Sequence, residues 1–160
     1  MMSRIRYKQR QPAFPKPGRF RGWFSGSIDK GRSAAACRVH ADDGSPAFED
    51  GWPSEAESTI YRAILAGARG CLEAIPDDSI TDLYTSNEAV YRQLSTVEEL
   101  EAKNWKGVAA SADLLKMYLD EQQARRLTVR VHYVEDRASD DRQIIDRLAK
   151  TAKVSLKVDA

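Results

Sequence analysis

Cysteine and histidine are scarce in this chain, at two each among 160 residues. Cys37 and Cys71 stand in apolar surroundings, AAACRV and ARGCLEAI, and read as buried reduced thiols rather than a disulfide. Neither has a second Cys or a His at ligand spacing, which excludes a zinc site of the usual kind. His40 and His132 lack a Ser or Cys partner in a triad-like arrangement, so both read as structural histidines. No apolar run reaches about 18 residues, and that excludes a membrane-spanning helix. The amino terminus is basic but without the apolar centre of a secretory signal, so the expected compartment is the cytoplasm. No GxxxxGK[ST] phosphate loop and no internal repeat occurs. The first acidic residue is Asp29, so acids too are missing from a long opening stretch.

What is present is one domain's worth of globular chain, 42% hydrophobic and 31% charged. Its net charge of +1 is unevenly spread. Arg4, Arg6, Lys8, Arg10, Lys16, Arg19 and Arg21 precede every acid, which leaves the remainder at −6. With Pro12, Pro15 and Pro17 among these bases, residues 1–21 read as an extended cationic arm and 22–160 as the folded domain. Such an arm suits phosphate, because each Arg or Lys displaces counterions from a nucleic acid. Phe14, Phe20 and Trp23 interleave the charges, and Trp23 reads as a core residue.

Within the domain, GWFSGS (Gly22 to Ser27) and SAAACRVHA (Ser33 to Ala41) read as two strands joined by a hairpin at Asp29, Lys30 and Gly31. Phe48 centres a short third strand. A helix follows Pro53, with Ser54 as N-cap and Glu57 completing a capping box. ITDLYTSNEAVYRQL reads as a strand from Ile80 running into a helix, with Ser86 and Asn87 at the junction where a cap is wanted. A short helix or loop carries Trp105, and Ser111 opens another helix. LTVRVHYV from Leu127 alternates as a strand. Ser139 caps a last helix, and KVSLKV is expected as a terminal edge strand.

In this order the pieces resemble the ribonuclease H-like superfamily, of the ribonuclease HI type. WFSGS stands where that family has a strand ending in Asp-Gly-Ser, and IYRAILAGARGCLEAI is similar to its first helix. LYTSNEAVYRQL resembles its Asp-Ser-x-x-Val strand and helix. ADLLKMYL, VRVHYV and IIDRLAKTA match its fourth helix, last core strand and closing helix. The resemblance implies an α/β fold with a mixed five-stranded sheet, an antiparallel meander plus parallel strands, flanked by helices.

Active members cut the RNA strand of RNA–DNA hybrids with four carboxylates holding two divalent ions. Two such ions about 4 Å apart need hard anionic oxygens to offset their mutual repulsion. Carried over position by position, the resemblance puts Ser25 at the first Asp, Ile60 at the Glu with Glu57 one turn earlier, Ser86 at the second Asp, and Asp146 at the last. Only Asp146 retains a carboxylate. The expectation is a degenerate site with no catalytic residue, no metal and no cofactor, on a module that binds nucleic acid or a protein partner. Contacts are expected from Ser27 and Asn87 as well as from the arm's seven bases. The alternative is an endoribonuclease that cleaves the RNA strand of hybrids and requires Mg or Mn.

Overall fold

The computed structural model describes residues 11–55, 58–135 and 139–159, with side chains through residue 153. Five strands form one mixed sheet: β1 (Arg19–Asp29), β2 (Arg32–Ala41), β3 (Phe48–Pro53), β4 (Ile80–Thr85) and β5 (Thr128–Tyr133), in the spatial order β3-β2-β1-β4-β5. β1 pairs antiparallel with β2 and β2 with β3, whereas β4 runs parallel to both β1 and β5. The β1–β2 turn has Lys30 and Gly31 at φ 50° and 78°, the paired left-handed residues of a two-residue hairpin whose twist matches its strands.

The helices are α1 (Ile60–Ala74), α2 (Glu88–Ser95), α3 (Val97–Ala102), α4 (Ala112–Ala124) and α5 (Asp140–Asp159), with a 3-10 turn at Ala109–Ser111 before α4. One sheet face takes α1, and α4 packs on α1. Phe20, Phe24, Cys37, Val39, Leu65, Leu72, Leu83 and Tyr118 are buried in that core. Each fully buried large apolar side chain contributes about 1.5–3 kcal/mol against exposure. The approach is close at Gly26, where a Cβ would lie 2.7 Å from Ala63 Cβ and 2.8 Å from the Ala63 carbonyl carbon. The opposite face takes α5, which lies across β1, β2 and β3 with Ile145 and Ala149 against Ala36. No helix among the described residues is long and apolar enough to cross a membrane.

Three sequence expectations need correction. The sheet begins inside the segment read as an arm: Arg19 and Arg21 lie in β1, Phe14 and Phe20 are buried with ring centroids 5.0 Å apart, and Ala13 N–H donates to Ala74 O. The apolar rings among the bases pull this stretch onto the body, so the boundary at residue 21 falls too late. Ser54 is not a helix cap, because its N–H donates to Ser33 O and prolongs the edge of the sheet. Thr59 caps α1 instead, accepting from Arg62 N–H at 3.2 Å. KVSLKV is not an edge strand but the end of α5. With no Gly or Pro after residue 139, nothing in the sequence stops that helix.

Candidate functional site

At the carboxyl end of β4 the chain turns into α2 through Ser86 and Asn87. Asn87 is the N-cap, its side chain accepting from Val90 N–H at 2.9 Å, and its own N–H donates to Thr85 Oγ1 at 3.1 Å. Beside this junction a cleft of about 160 Å³ opens between β1, α1 and α5. Phe24, Ile60 and Ile64 form its apolar wall, and Ser25, Ser86 and Asn87 its polar one. Arg142 reaches in from the first turn of α5, which Ser139 caps by accepting the Arg142 N–H at 3.2 Å. Among the described residues lining the cleft there is no carboxylate.

Asp146 lies one turn along α5 from Arg142. Arg142 Nε is 3.0 Å from each of its oxygens, and the 93%-buried Ser25 donates its hydroxyl to Oδ1 at 2.9 Å. The structure brings Ser25 and Asp146 together, and Ser25, Ser86 and Ile60 line the same cleft. Glu57 lies outside the described residues, as do Arg4, Arg6, Lys8 and Arg10. Ser27 lies two residues further along β1 and accepts from Lys153 Nζ at 2.8 Å. Lys16 is exposed ahead of the sheet, while Arg19 and Arg21 project from β1.

Arg142 is the residue of this cleft that sequence reasoning missed. The signal was present in its spacing, since an Arg four residues before an Asp on one helix meets it on the same face. Both histidines have acidic partners: His40 Nε2 lies 2.7 Å from Asp141 Oδ1, and His132 Nε2 lies 2.8 Å from Asp82 Oδ1. Arg38 Nε joins the first pair, 2.8 Å from the same Asp141 oxygen. Near the second pair the Tyr84 phenol is held above its ordinary pKa, first by burial and then by the negative charge of Asp82.

This donor set does not fit a pair of divalent ions. Serine hydroxyls bring no compensating charge, isoleucine brings no ligand, and the remaining carboxylate already spends both oxygens on a guanidinium. Among the described residues no cluster of three His, Cys, Asp or Glu is placed to hold a metal ion.

The sheet order, the parallel β1–β4–β5 half, and the helices on both faces define the ribonuclease H-like fold. Solved structures carry the same architecture at low sequence identity. The ribonuclease H1 of the halophilic archaeon Halobacterium salinarum NRC-1 superimposes with a TM-score of 0.67 at 17% identity, covering 86% of this chain and 99% of that one. LC9-RNase H1, described as a type 1 enzyme with the type 2 active-site motif, gives 0.69 at 17%, covering 89% and 74%. LC11-RNase H1, solved in complex with an RNA/DNA hybrid, gives 0.63 at 13%, covering 86% and 98%. No protein-family sequence model and no curated protein sequence matches the chain.

Proposed function

We propose that this chain is a noncatalytic ribonuclease H-like module that binds nucleic acid. One observation carries the reading: Arg142 and Ser25 occupy the oxygens of Asp146, so the carboxylate that an active site would turn toward metal is turned toward the chain's own cation. A cleft relieved of its carboxylates no longer repels phosphate, and it offers Ser86, Asn87 and an arginine as donors. The bases of the amino-terminal segment, Arg4, Arg6, Lys8, Arg10 and Lys16, supply further phosphate contacts in this reading. A fold shared with a protein solved on an RNA/DNA hybrid favours such a ligand over an unrelated one. We place the activity in the cytoplasm, where two unpaired thiols stay reduced.

Two assays test this. Incubation with an end-labelled RNA–DNA duplex and Mg²⁺ or Mn²⁺ is expected to leave the RNA intact. Cleavage that disappears in Asp146→Asn would overturn the reading in favour of a metal-dependent endoribonuclease. Titration of the same duplex at two salt concentrations, with and without residues 1–10, is expected to give a salt slope that shrinks when Arg4, Arg6, Lys8 and Arg10 are removed and the packed Phe14 is kept. Absence of binding by the full chain would shift the role to a protein partner.

A further inference from the structure

α5 covers β1, β2 and β3, and among the described residues no helix lies across the β4–β5 half of that sheet face as α5 does across the rest. The registers place those side chains in rows across three strands: Trp23, Tyr84 and His132 in one, Arg21, Asp82 and Arg130 in the next, and Arg19, Ile80 and Thr128 in the last. The first row is a column of stacked rings. Trp23 and Tyr84 lie 4.7 Å apart at 18°, and Tyr84 and His132 lie 5.0 Å apart at 19°. These distances match the spacing of about 4.8 Å between neighbouring strands, so the rings stand upright and meet face to face.

The column has two different ends. At Trp23 it is closed by the edge of the His40 ring, 5.4 Å away at 85°. At the other end His132 stands on β5, the last strand of the sheet, with its ring held by Asp82. Among the described residues no further ring continues the column beyond it. The flanking surface is cationic: Arg19, Arg21 and Arg130 are exposed, and Arg19 and Arg130 make no ion pair among the described residues. Asp82 is engaged by His132, and Asp42 lies 3.5 Å from Arg21.

We propose that this half-face binds single-stranded nucleic acid, one base stacking on His132 to extend the ring column while Arg130, Arg21 and Arg19 take the adjoining phosphates. A single strand is the occupant that fits. A base in a duplex has both faces covered by its neighbours, whereas an unpaired base can present a free face to an aromatic ring. The arginine row supplies the matching charge along the strand that the stacked base leads. This surface lies beside the cleft and adds to the reading above without passing through Asp146.

The test uses the full chain and two labelled probes in fluorescence anisotropy: a single-stranded oligouridylate of roughly twelve nucleotides and an RNA–DNA hybrid of the same length. His132→Ala is expected to weaken oligouridylate binding about tenfold, and His132→Phe, which keeps the stack, to retain it. Arg130→Ser is expected to lower the salt slope for the single strand by about one. Hybrid affinity is expected to stay within about twofold in all three variants. Equal oligouridylate affinity in the wild type and His132→Ala would overturn the proposal. So would a wild-type chain that binds the hybrid and not the single strand, and that outcome would leave the nucleic-acid reading standing. Binding neither probe would overturn both. Should His132→Ala fail to fold, the exposed Arg130→Ser decides the matter by its salt slope.

Discussion

Replacing Ser25 by Asp tests the electrostatics of the cleft directly, because it sets a second carboxylate against Asp146. Ser25 Oγ lies 2.9 Å from Asp146 Oδ1 and the residue is only 7% exposed. Two unit charges about 4 Å apart repel by about 4 kcal/mol at an effective dielectric constant of about 20. Arg142, within 3.0 Å of both Asp146 oxygens, offsets part of this, so the expected loss is about 2 kcal/mol at neutral pH. For a chain of this length that is a fall of about 4–8 °C in Tm. The introduced carboxyl is protonated more readily in the folded state than in the unfolded one, where its pKa is about 3.9. Its cost is therefore full above the raised folded-state value and fades as pH drops toward the unfolded one. Urea denaturation of variant and wild type at neutral and mildly acidic pH measures the gap. A millimolar addition of Mn²⁺ is expected to restore part of the variant's stability and to leave the wild type unchanged. Equal stability at neutral pH, or a gap that widens on acidification, would refute the geometry assigned to Ser25, Arg142 and Asp146.

Three further outcomes follow from the packing. Gly26→Ala is expected to cost about 1–3 kcal/mol in urea denaturation, since its Cβ would meet the backbone of Ala63 and Ile64 at 2.8 Å; Gly18→Ala, with nothing within 4 Å, is expected to stay within about 0.5 kcal/mol. Cys37 and Cys71 are expected to resist Ellman's reagent in the native protein and to react together on unfolding, because both are buried and burial holds the Cys71 thiol well above its ordinary pKa. Asp113 is held below the ordinary carboxylate range by its bonds from Arg62, so the pair stabilises the fold above the unfolded pKa of about 3.9 and that contribution is lost as pH falls through the depressed value. Asp113→Asn is expected to cost under about 1 kcal/mol at neutral pH, Asp113 being largely exposed, and to converge on wild type in strong acid when followed by urea titration.

The strands were legible wherever alternation met a turn signal. Lys30 and Gly31 marked the hairpin, and Thr128 to Tyr133 showed a period of two that the parallel β4–β5 register uses. The carried-over positions Ser25, Ser86, Ile60 and Asp146 converge on one region, because the resemblance ran through the strand ends and helix starts that build it. Arg142 is not among the acids that define the family's site, because the charge that compensates Asp146 is a base. Helix starts were harder to read. Ser54 and Glu57 have the composition of a capping box, yet a backbone bond to Ser33 holds Ser54 in the sheet, and only tertiary pairing reveals it. The ring column was invisible for a similar reason: Trp23, Tyr84 and His132 become neighbours only through the parallel crossover that sets β4 between β1 and β5.

The position of β1 in the middle of the sheet has a consequence for biosynthesis. It leaves the ribosome first among the strands, yet one of its two flanks is filled only when Ile80 and its successors emerge, and β5 later still. Until then the nascent hairpins display a row of unmet amide and carbonyl groups along Arg19 to Trp23, and an apolar surface that waits for the helix beginning at Ile60. Translation products that stop short of Ile80 are therefore expected to associate with one another through that bare rim, while the finished protein has sealed it with its own later residues.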